Sequence, residues 1–336
     1  VKNRILAIHK KELYFDGQIC KEASINDIDL DKVKEFVKKA KEARKFNAYR
    51  LSPKSILNKL RLIRDGKVTN ACILLFGKNP QDYFIQASIK CVRFNGIDIT
   101  SDMLDFKDVE GDLFTQVDDA EKFIFNNIAK RAWIEEGKIE RQERWDYPPE
   151  ALREALINAI AHRDYRASGK IQIRIYDDRI EFWNAGKLPE GWSIDTLRRE
   201  HNSEPFNPLI FKIFYLAGFV EEMGSGTNKI IELCKDYGLP EPEFGISGNS
   251  IFIKIRKDIF TDDYLKQLGL NERQIKAVMY VKERGRITNK EYQKVCNISR
   301  QMATIDLKDL VDKGIFIKTG KAGRGIAYQL TKLPNK

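Results

Sequence analysis

The sequence predicts an α/β (α+β) protein in three parts, and three observations carry that reading. Residues 148–164, PPEALREALINAIAHRD, form one nearly all-apolar helix with a single polar stripe. Strand-like alternation on both sides of Asp177-Asp178 marks a hairpin just after it. Charge is segregated: of a net +10, all of the excess lies in Leu265–Lys336, which holds sixteen Lys/Arg against six Asp/Glu. A chain of 336 residues has room for two or three domains. The expected parts are a mixed α/β scaffold or linker region over 1–112, a central α/β domain over 113–260 and a basic helical module over 265–336.

Each element follows from local pattern. Asp29–Glu42 is charged and helix-like, and Leu113–Ala129 is an amphipathic helix. Asn70–Phe76, a short apolar run ending at Gly77, reads as a strand, and Ala87–Phe94 as a second. This first region carries no chemical motif and reads as scaffold or partner-docking surface. In the middle, Lys170–Tyr176 and Arg179–Trp183 pair across the turn, and the second strand runs into Asn184-Ala185-Gly186. Leu209–Gly218 is an apolar helix, Gly224-Ser225-Gly226 opens a helix from Thr227 to Tyr237, and Ser250–Ile255 is a closing strand. In the last part, a first helix begins at Leu270-Asn271-Glu272 with Ile275, Val278, Met279 and Val281 in its core. Asn289–Cys296 is a second helix. Ser299–Lys313 is a third, with Ser299 as N-cap, Gly314 as stop, and Ile305, Leu307, Leu310 and Val311 facing the core. Ile315–Lys318 and Ile326–Leu330 flank a glycine-rich loop.

Composition excludes several classes. The five cysteines are scattered and never form a CxxC pair, which points to reduced thiols in a cytoplasm and away from a disulfide frame or a zinc site. The longest apolar runs, such as Ala71–Phe76, are too short to span a bilayer. The chain begins Val1-Lys2-Asn3-Arg4, without methionine or signal peptide, so it is expected to be a piece of a longer protein.

The polar stripe is Glu154, Asn158 and His162, spaced i, i+4, i+8 along one helix face. A helix apolar on its other sides is buried, and a buried carboxylate, amide and imidazole each cost free energy unless partnered. The stripe therefore either satisfies a polar network or faces a cavity holding a polar ligand. Glycines at 224 and 226 let backbone N–H groups approach a phosphate at a helix N-terminus.

A helix with Glu-x-x-x-Asn, then a hairpin ending near glycine, then Gly-x-Gly opening a helix resembles the Bergerat-type (GHKL-like) ATP-binding fold of gyrase, chaperone ATPases, MutL and histidine kinases. The resemblance implies an ATPase-like α/β sandwich. It makes Glu154 a catalytic base and Asn158 the Mg²⁺ ligand. His162, Asn184, Gly186, Gly224, Ser225 and Gly226 become nucleotide-binding residues, with ATP and Mg²⁺ as cofactors. That family's adenine-binding Asp-x-Gly-x-Gly is absent, and Asn184-Ala185-Gly186 stands in its place. An Asn amide still offers a donor and an acceptor to an adenine edge. Ala151–Tyr165, Ile180–Pro189, Glu222–Ile230 and Leu239–Phe244 together resemble a family of bacterial and archaeal transcriptional regulators related by name to the C-terminal part of RecG helicase. The resemblance runs from Phe15 to Leu330 and implies an AlbA- or Schlafen-like domain upstream and a winged helix at the end. Where that family shows Arg-Asn-Pro, this chain has Phe206-Asn207-Pro208 and lacks a phosphate-binding cation. Arg163 and Asp164 are expected to pair with each other, with phosphate as a second partner open to Arg163.

Leu270–Leu330 resembles a winged helix–turn–helix. Ser299, Arg300, Gln301 and Thr304 at the start of its third helix would enter a major groove of double-stranded DNA, and Lys318, Lys321 and Arg324 on the wing would contact phosphate or the minor groove. The expected function is a DNA-binding transcriptional regulator with a nucleotide-sensing domain, with a homodimer open as its assembly. The alternatives are a slow ATPase of DNA processing or defence, and a non-catalytic scaffold with a degenerate ATP fold. The chain has no G-x-x-x-x-G-K-[ST] phosphate loop, so the RecG likeness implies no motor.

Overall fold

The computed structural model describes residues 14–46, 50–134, 141–199, 201–202, 204–220, 226–257, 260, 265–266, 268–320 and 326–331. The chain falls into two units, Val1–Lys257 and Asp258–Lys336. In the first unit, helices α1 (Leu30–Glu42), α2 (Pro53–Lys59) and α3 (Asn70–Phe76) come first, with a short ladder of β1 (Ile63–Arg64) and β2 (Lys67–Val68) between α2 and α3. Then follow β3 (Ile89–Phe94), β4 (Met103–Val109), α4 (Leu113–Asn127), the paired β5 (Lys130–Ile134) and β6 (Arg141–Trp145), and α5 (Pro149–Ala161). The unit closes with β7 (Ile171–Ile175), β8 (Arg179–Ala185), α6 (Pro208–Leu216), α7 (Gly226–Asp236), β9 (Glu243–Ser247) and β10 (Ser250–Arg256). This is the expected mixed α/β class.

A six-stranded sheet in the order β4-β3-β7-β8-β10-β9 organises the first unit. Its pairs are antiparallel except β3 with β7. Alternation sets the two faces. Ile171, Ile173, Ile175, Ile180 and Phe182 are buried in the main core. Arg174 and Trp183 point the other way, with the Arg174 guanidinium 4.5 Å from the Trp183 ring centre. Phenylalanines link the helices: Phe36 lies 5.7 Å from Phe76, Phe76 lies 5.8 Å from Phe114, and Phe114 lies 5.6 Å from Phe214. The N-terminal elements thus share one core with the central domain. No division falls near residue 112, because β3 and β4 belong to the central sheet and α4 carries the same aromatic cluster as α1 and α3.

Capping explains where helices start. Asp29 accepts from the backbone N–H of Asp31 and Lys32 to begin α1, and Asp112 accepts from Phe114 and Thr115 to begin α4. The Asp112 carboxylate also pairs with Lys32. Asn70–Phe76 is a helix, which corrects the strand expected from its sequence. A short apolar run has the same pattern in a buried helix and a buried strand. Thr69 decides between them: its Oγ1 accepts from Cys72 N at 3.2 Å and caps the first turn. Gly77 ends the helix where a Cβ would overlap the Ile73 carbonyl oxygen. All five cysteines are free thiols, four of them buried. No helix among the described residues is long and apolar enough to cross a membrane.

The second unit runs α8 (Glu272–Arg284), β11 (Ile287–Thr288), α9 (Asn289–Cys296), α10 (Arg300–Asp312), β12 (Phe316–Thr319) and β13 (Ala327–Leu330). Its sheet has the order β11-β13-β12 and is antiparallel. Capping boxes at Asn271/Gln274 and Thr288/Glu291 start α8 and α9, and Ser299 Oγ accepts from Met302 N to start α10. Ile275, Val278, Val281, Ala303, Leu307 and Leu310 are buried together. Ile305 is not among them. It is 55 % exposed, against expectation, because Ala303, Asp306, Leu307 and Leu310 already fill the inward face of α10.

Asp16 joins the start of the described chain to α6. Its Oδ2 accepts from Leu209 N at 2.6 Å and Ile210 N at 3.2 Å at the first turn of that helix. Burial raises its carboxyl to about 6 from an ordinary 3.8, against the lowering pull of those backbone bonds and of Arg64. Between those two values the folded state binds more protons than the unfolded chain, so this group's contribution to stability falls as pH rises through that window. Wild type is expected to lose on the order of 2 kcal/mol relative to Asp16→Asn between pH 4 and pH 7 in urea denaturation. A difference constant with pH would contradict this.

Candidate functional site

α5 is built from Ala, Leu and Ile on most sides, so it is buried and its polar residues must find partners within the fold. Glu154 is 8 % exposed, and Asn158 Nδ2 donates to Glu154 Oε1 at 3.1 Å. This bond orients the Asn158 amide and leaves Oδ1 as its available acceptor. Gly226, the first residue of α7, lies against the same pair. A Cβ there would overlap Glu154 Oε1 and stand 3.0 Å from Asn158 Nδ2. Glycine is needed at this close approach, and the positive end of the α7 dipole sits beside the Glu154 carboxylate.

The stripe opens into a cavity of about 120 Å³. An apolar cavity of ~150 Å³ holds a benzene ring, so this space is on the scale of one aromatic ring system. Phe182, Leu188, Trp192, Phe211, Phe244 and Ile253 give it largely apolar walls. Glu154, Asn158, His162, Asn184, Lys187, His201, Glu204 and Thr227 supply its polar groups. Asn184, at the end of β8, is 6 % exposed, and its Oδ1 is buried with no hydrogen-bond partner. Among the described residues, other buried side-chain oxygens also lack partners, on Asp16, Ser88, Tyr147 and Asn207, but only the Asn184 oxygen belongs to a residue lining the cavity. A buried acceptor left without a donor costs roughly 1–3 kcal/mol, and a ligand N–H would recover it. Gly186 lets the chain leave β8 beneath the end of α5, since a Cβ there would stand 2.9 Å from the His162 carbonyl oxygen.

His162 ends α5. Burial and the neighbouring His201 push its imidazole down to about 4, so it is neutral near pH 7. The residue is half-buried and belongs to the cavity lining. His201 closes the opposite wall. Its Nε2 lies 3.1 Å from Thr227 Oγ1, one residue into α7, and its ring meets the Trp192 ring at 4.6 Å.

The structure brings together Glu154, Asn158, His162, Asn184 and Gly226 as expected from sequence, with Gly186 directly behind Asn184. Gly224 and Ser225 lie outside the described residues. Trp192 and His201 lie outside every motif, while Lys187 and Thr227 lie inside the Ile180–Pro189 and Glu222–Ile230 stretches without a role assigned to them. Histidine is rare in this chain, three in 336 residues, and that scarcity was the one available signal for His201.

Two neighbouring residues are corrected. Arg163 is 1 % exposed, and its guanidinium donates to the carbonyl oxygens of Gln86 and Gly169, both at 2.7 Å. It brackets backbone and is not placed to meet a phosphate. Asp164 pairs with Arg166 at 3.0 Å, not with Arg163. Asn207 explains the Phe206-Asn207-Pro208 motif: its Nδ2 donates to the carbonyls of Ala161 at 3.0 Å and Arg163 at 2.7 Å, satisfying the end of α5. Phe206 lies under the Arg166 guanidinium at 5.9 Å.

On α10, Arg300 and Gln301 are exposed at the helix start. Thr304 Oγ1 donates to the Arg300 carbonyl and accepts from Asn289 Nδ2. Lys318 is exposed on β12, while Lys321 and Arg324 lie outside the described residues. No group of three or more His, Cys, Asp or Glu among the described residues is arranged to hold a metal ion.

Comparison with known proteins places this site in context. Residues 168–255 match the family described as "Putative ATP-dependent DNA helicase recG C-terminal", and residues 3–89 match a domain of unknown function. The first of these likenesses makes the segment from β7 to β10 an ATPase-like domain related to the RecG C-terminus. The solved structure of the DIP2311 protein from Corynebacterium diphtheriae superposes with a TM-score of 0.60 at 17 % identity, over 96 % of this chain and 66 % of that one. At that identity the likeness is one of fold, and this chain spans about two thirds of the other's length. No curated protein matches the chain.

If Gly226 sets the spacing of α5 and α7, Gly226→Ala is expected to cost about 1–3 kcal/mol in chemical denaturation. Adding Glu154→Ala should recover much of that loss. Additive costs in the double variant would show that the two residues do not press on one another.

Proposed function

We propose that the first unit binds an adenine nucleotide with Mg²⁺ in the α5–β8–α7 cavity, and that the second unit binds double-stranded DNA as a winged helix–turn–helix. The chain is then a DNA-binding regulator that senses a nucleotide. The orphaned Asn184 Oδ1 in the cavity wall carries the nucleotide half. Adenine presents an amino donor beside a ring-nitrogen acceptor, and an Asn amide matches both. The apolar walls and the Trp192 ring suit the flat base. Asn158 Oδ1 fits a hard oxygen-seeking cation. Mg²⁺ takes few protein ligands and completes its shell with water and phosphate oxygens, so one amide suffices. The bound ion would neutralise phosphate charge. Gly226 and the N–H groups of α7 lie where the phosphates would extend, and the exposed, unpaired Lys187 stands on the rim as a further cation.

A second reading, a slow ATPase, is favoured by the Glu154–Asn158 bond. It fixes a buried carboxylate beside the candidate metal ligand, where it can take a proton from an attacking water. The DNA half rests on the charge of the second unit and on the exposed Arg300, Gln301 and Lys318, joined by Ser299 as the cap of α10. Lys321 and Arg324 add two cations to the sequence between β12 and β13. The Thr304 hydroxyl proton is spent on the Arg300 carbonyl and the hydroxyl accepts from Asn289, so Thr304 would meet DNA through its methyl or its remaining lone pair.

Isothermal titration with ATP and Mg²⁺ is expected to show binding that Asn158→Ala weakens about tenfold or more and that EDTA weakens similarly. Glu154→Ala should keep binding and abolish any phosphate release. Absence of heat with wild type would remove the nucleotide reading. Equal phosphate release by wild type and Glu154→Ala would remove the ATPase reading alone.

A further inference from the structure

α10 carries an apolar residue where the fold has no use for one. Ile305 is 55 % exposed and Met302 40 %, while Ala303, Leu307 and Leu310 on the inward face are fully buried. Gln301, Thr304, Ile305 and Lys308 are spaced i, i+3, i+4, i+7 and share one outward face, and all four are exposed. Ile305 thus sits at the centre of the face, flanked along the helix by Gln301 and Lys308. Next to it Thr304 adds a methyl, and its hydroxyl has no proton left to donate, because it donates to Arg300 O while accepting from Asn289 Nδ2.

The partner of this face must satisfy two demands. Sixteen Lys/Arg against six Asp/Glu in Leu265–Lys336 select a polyanion. An isoleucine and a threonine methyl in the middle of the contact call for an apolar group within that polyanion. In duplex DNA the major groove supplies one, the 5-methyl of thymine. The same base pair presents the adenine N6/N7 edge, which a glutamine amide matches with two hydrogen bonds.

We infer that α10 reads A·T pairs, with Ile305 packed on thymine methyls and Gln301 on the paired adenine. This rests on the proposal that the second unit binds duplex DNA. Met302, one turn before Asp306, extends the apolar contact toward the neighbouring base step. Removing one buried methyl changes affinity about fourfold, so the effect is small per base but additive across a site.

The test uses the full chain and three labelled duplexes of equal length in fluorescence anisotropy: alternating dA·dT, the same duplex with dU for every dT, and alternating dG·dC. Uracil differs from thymine by the methyl alone. Wild type is expected to bind the thymine duplex at least fourfold more tightly than the uracil duplex, with dG·dC weakest, and every affinity should fall steeply with salt. Ile305→Ala, a surface change, should narrow the thymine-over-uracil preference markedly and keep the salt dependence. Equal wild-type affinity for the thymine and uracil duplexes, with salt-sensitive binding to both, overturns thymine reading and leaves DNA binding standing. A thymine preference as large in Ile305→Ala as in wild type overturns the assignment to this residue. Failure to bind any duplex at low salt overturns the DNA reading itself.

Discussion

The approach of Gly226 to Glu154 and Asn158 governs the geometry of the first unit. α5 is buried under the sheet, and α7 meets it at the one residue whose missing side chain lets a helix start press on a carboxylate. That contact fixes the distance between the two helices. It also turns the Asn158 amide, since the glutamate that faces the α7 start is the one that accepts from Nδ2. The cavity lies beside this contact, with Glu154, Asn158 and Gly226 in its lining together with Phe182 and Ile253 of the sheet. Any side chain at 226 would open the joint and tilt the cavity wall.

Burial around the site separates scaffold from function. Arg163, Asn207 and Asp16 are all polar and deeply buried, and each is spent on backbone: Arg163 on three carbonyls, Asn207 on the end of α5, Asp16 on the start of α6. The Arg163 and Asn207 bonds hold the C-terminal end of α5, and Asn207 ties the residue before α6 to it. Asn184 differs in that it belongs to the cavity lining and its buried oxygen has no hydrogen-bond partner among the described residues. Lowered by burial and by His201, His162 stays uncharged near it, so this part of the lining carries no imidazolium charge near pH 7. The charged side chains of the lining are the buried Glu154 and the exposed Lys187 and Glu204.

Much of this could be read from residue order. The Glu154–Asn158–His162 spacing placed three cavity residues on one helix face, and the Asp177-Asp178 turn placed Asn184 at a strand end near them. The Ser299 cap and the helix starts read near Asp29, Asn271 and Asn289 are kept by the structure, which adds side-chain caps at Asp29, Asn271 and Thr288. Other features were invisible for physical reasons. Asn70–Phe76 is apolar at every position, so its pattern has no period to distinguish helix from strand. β4 is an edge strand exposed at nearly every residue, so it shows no alternation of apolar and polar side chains. His201 and Trp192 enter the cavity from a loop, where no periodicity reports the direction of a side chain. Ile305 fits the core pattern of its helix by hydrophobicity, and only the packing of Ala303 and Leu307 shows that it points outward. Arg163 looked available because a sequence does not display the carbonyls that consume it.

The central claim is that Asn184 Oδ1 waits for a donor on a purine base. Replacing ATP by purine riboside triphosphate removes the 6-amino group alone and leaves the ring nitrogens, sugar and phosphates in place. The two nucleotides, titrated against the full chain in Mg²⁺, isolate that one hydrogen bond. ATP is expected to bind about tenfold or more tightly than the analogue, because without the amino group the buried oxygen stays unpaired. Equal affinities would contradict the account, since they would mean that the base does not meet Asn184.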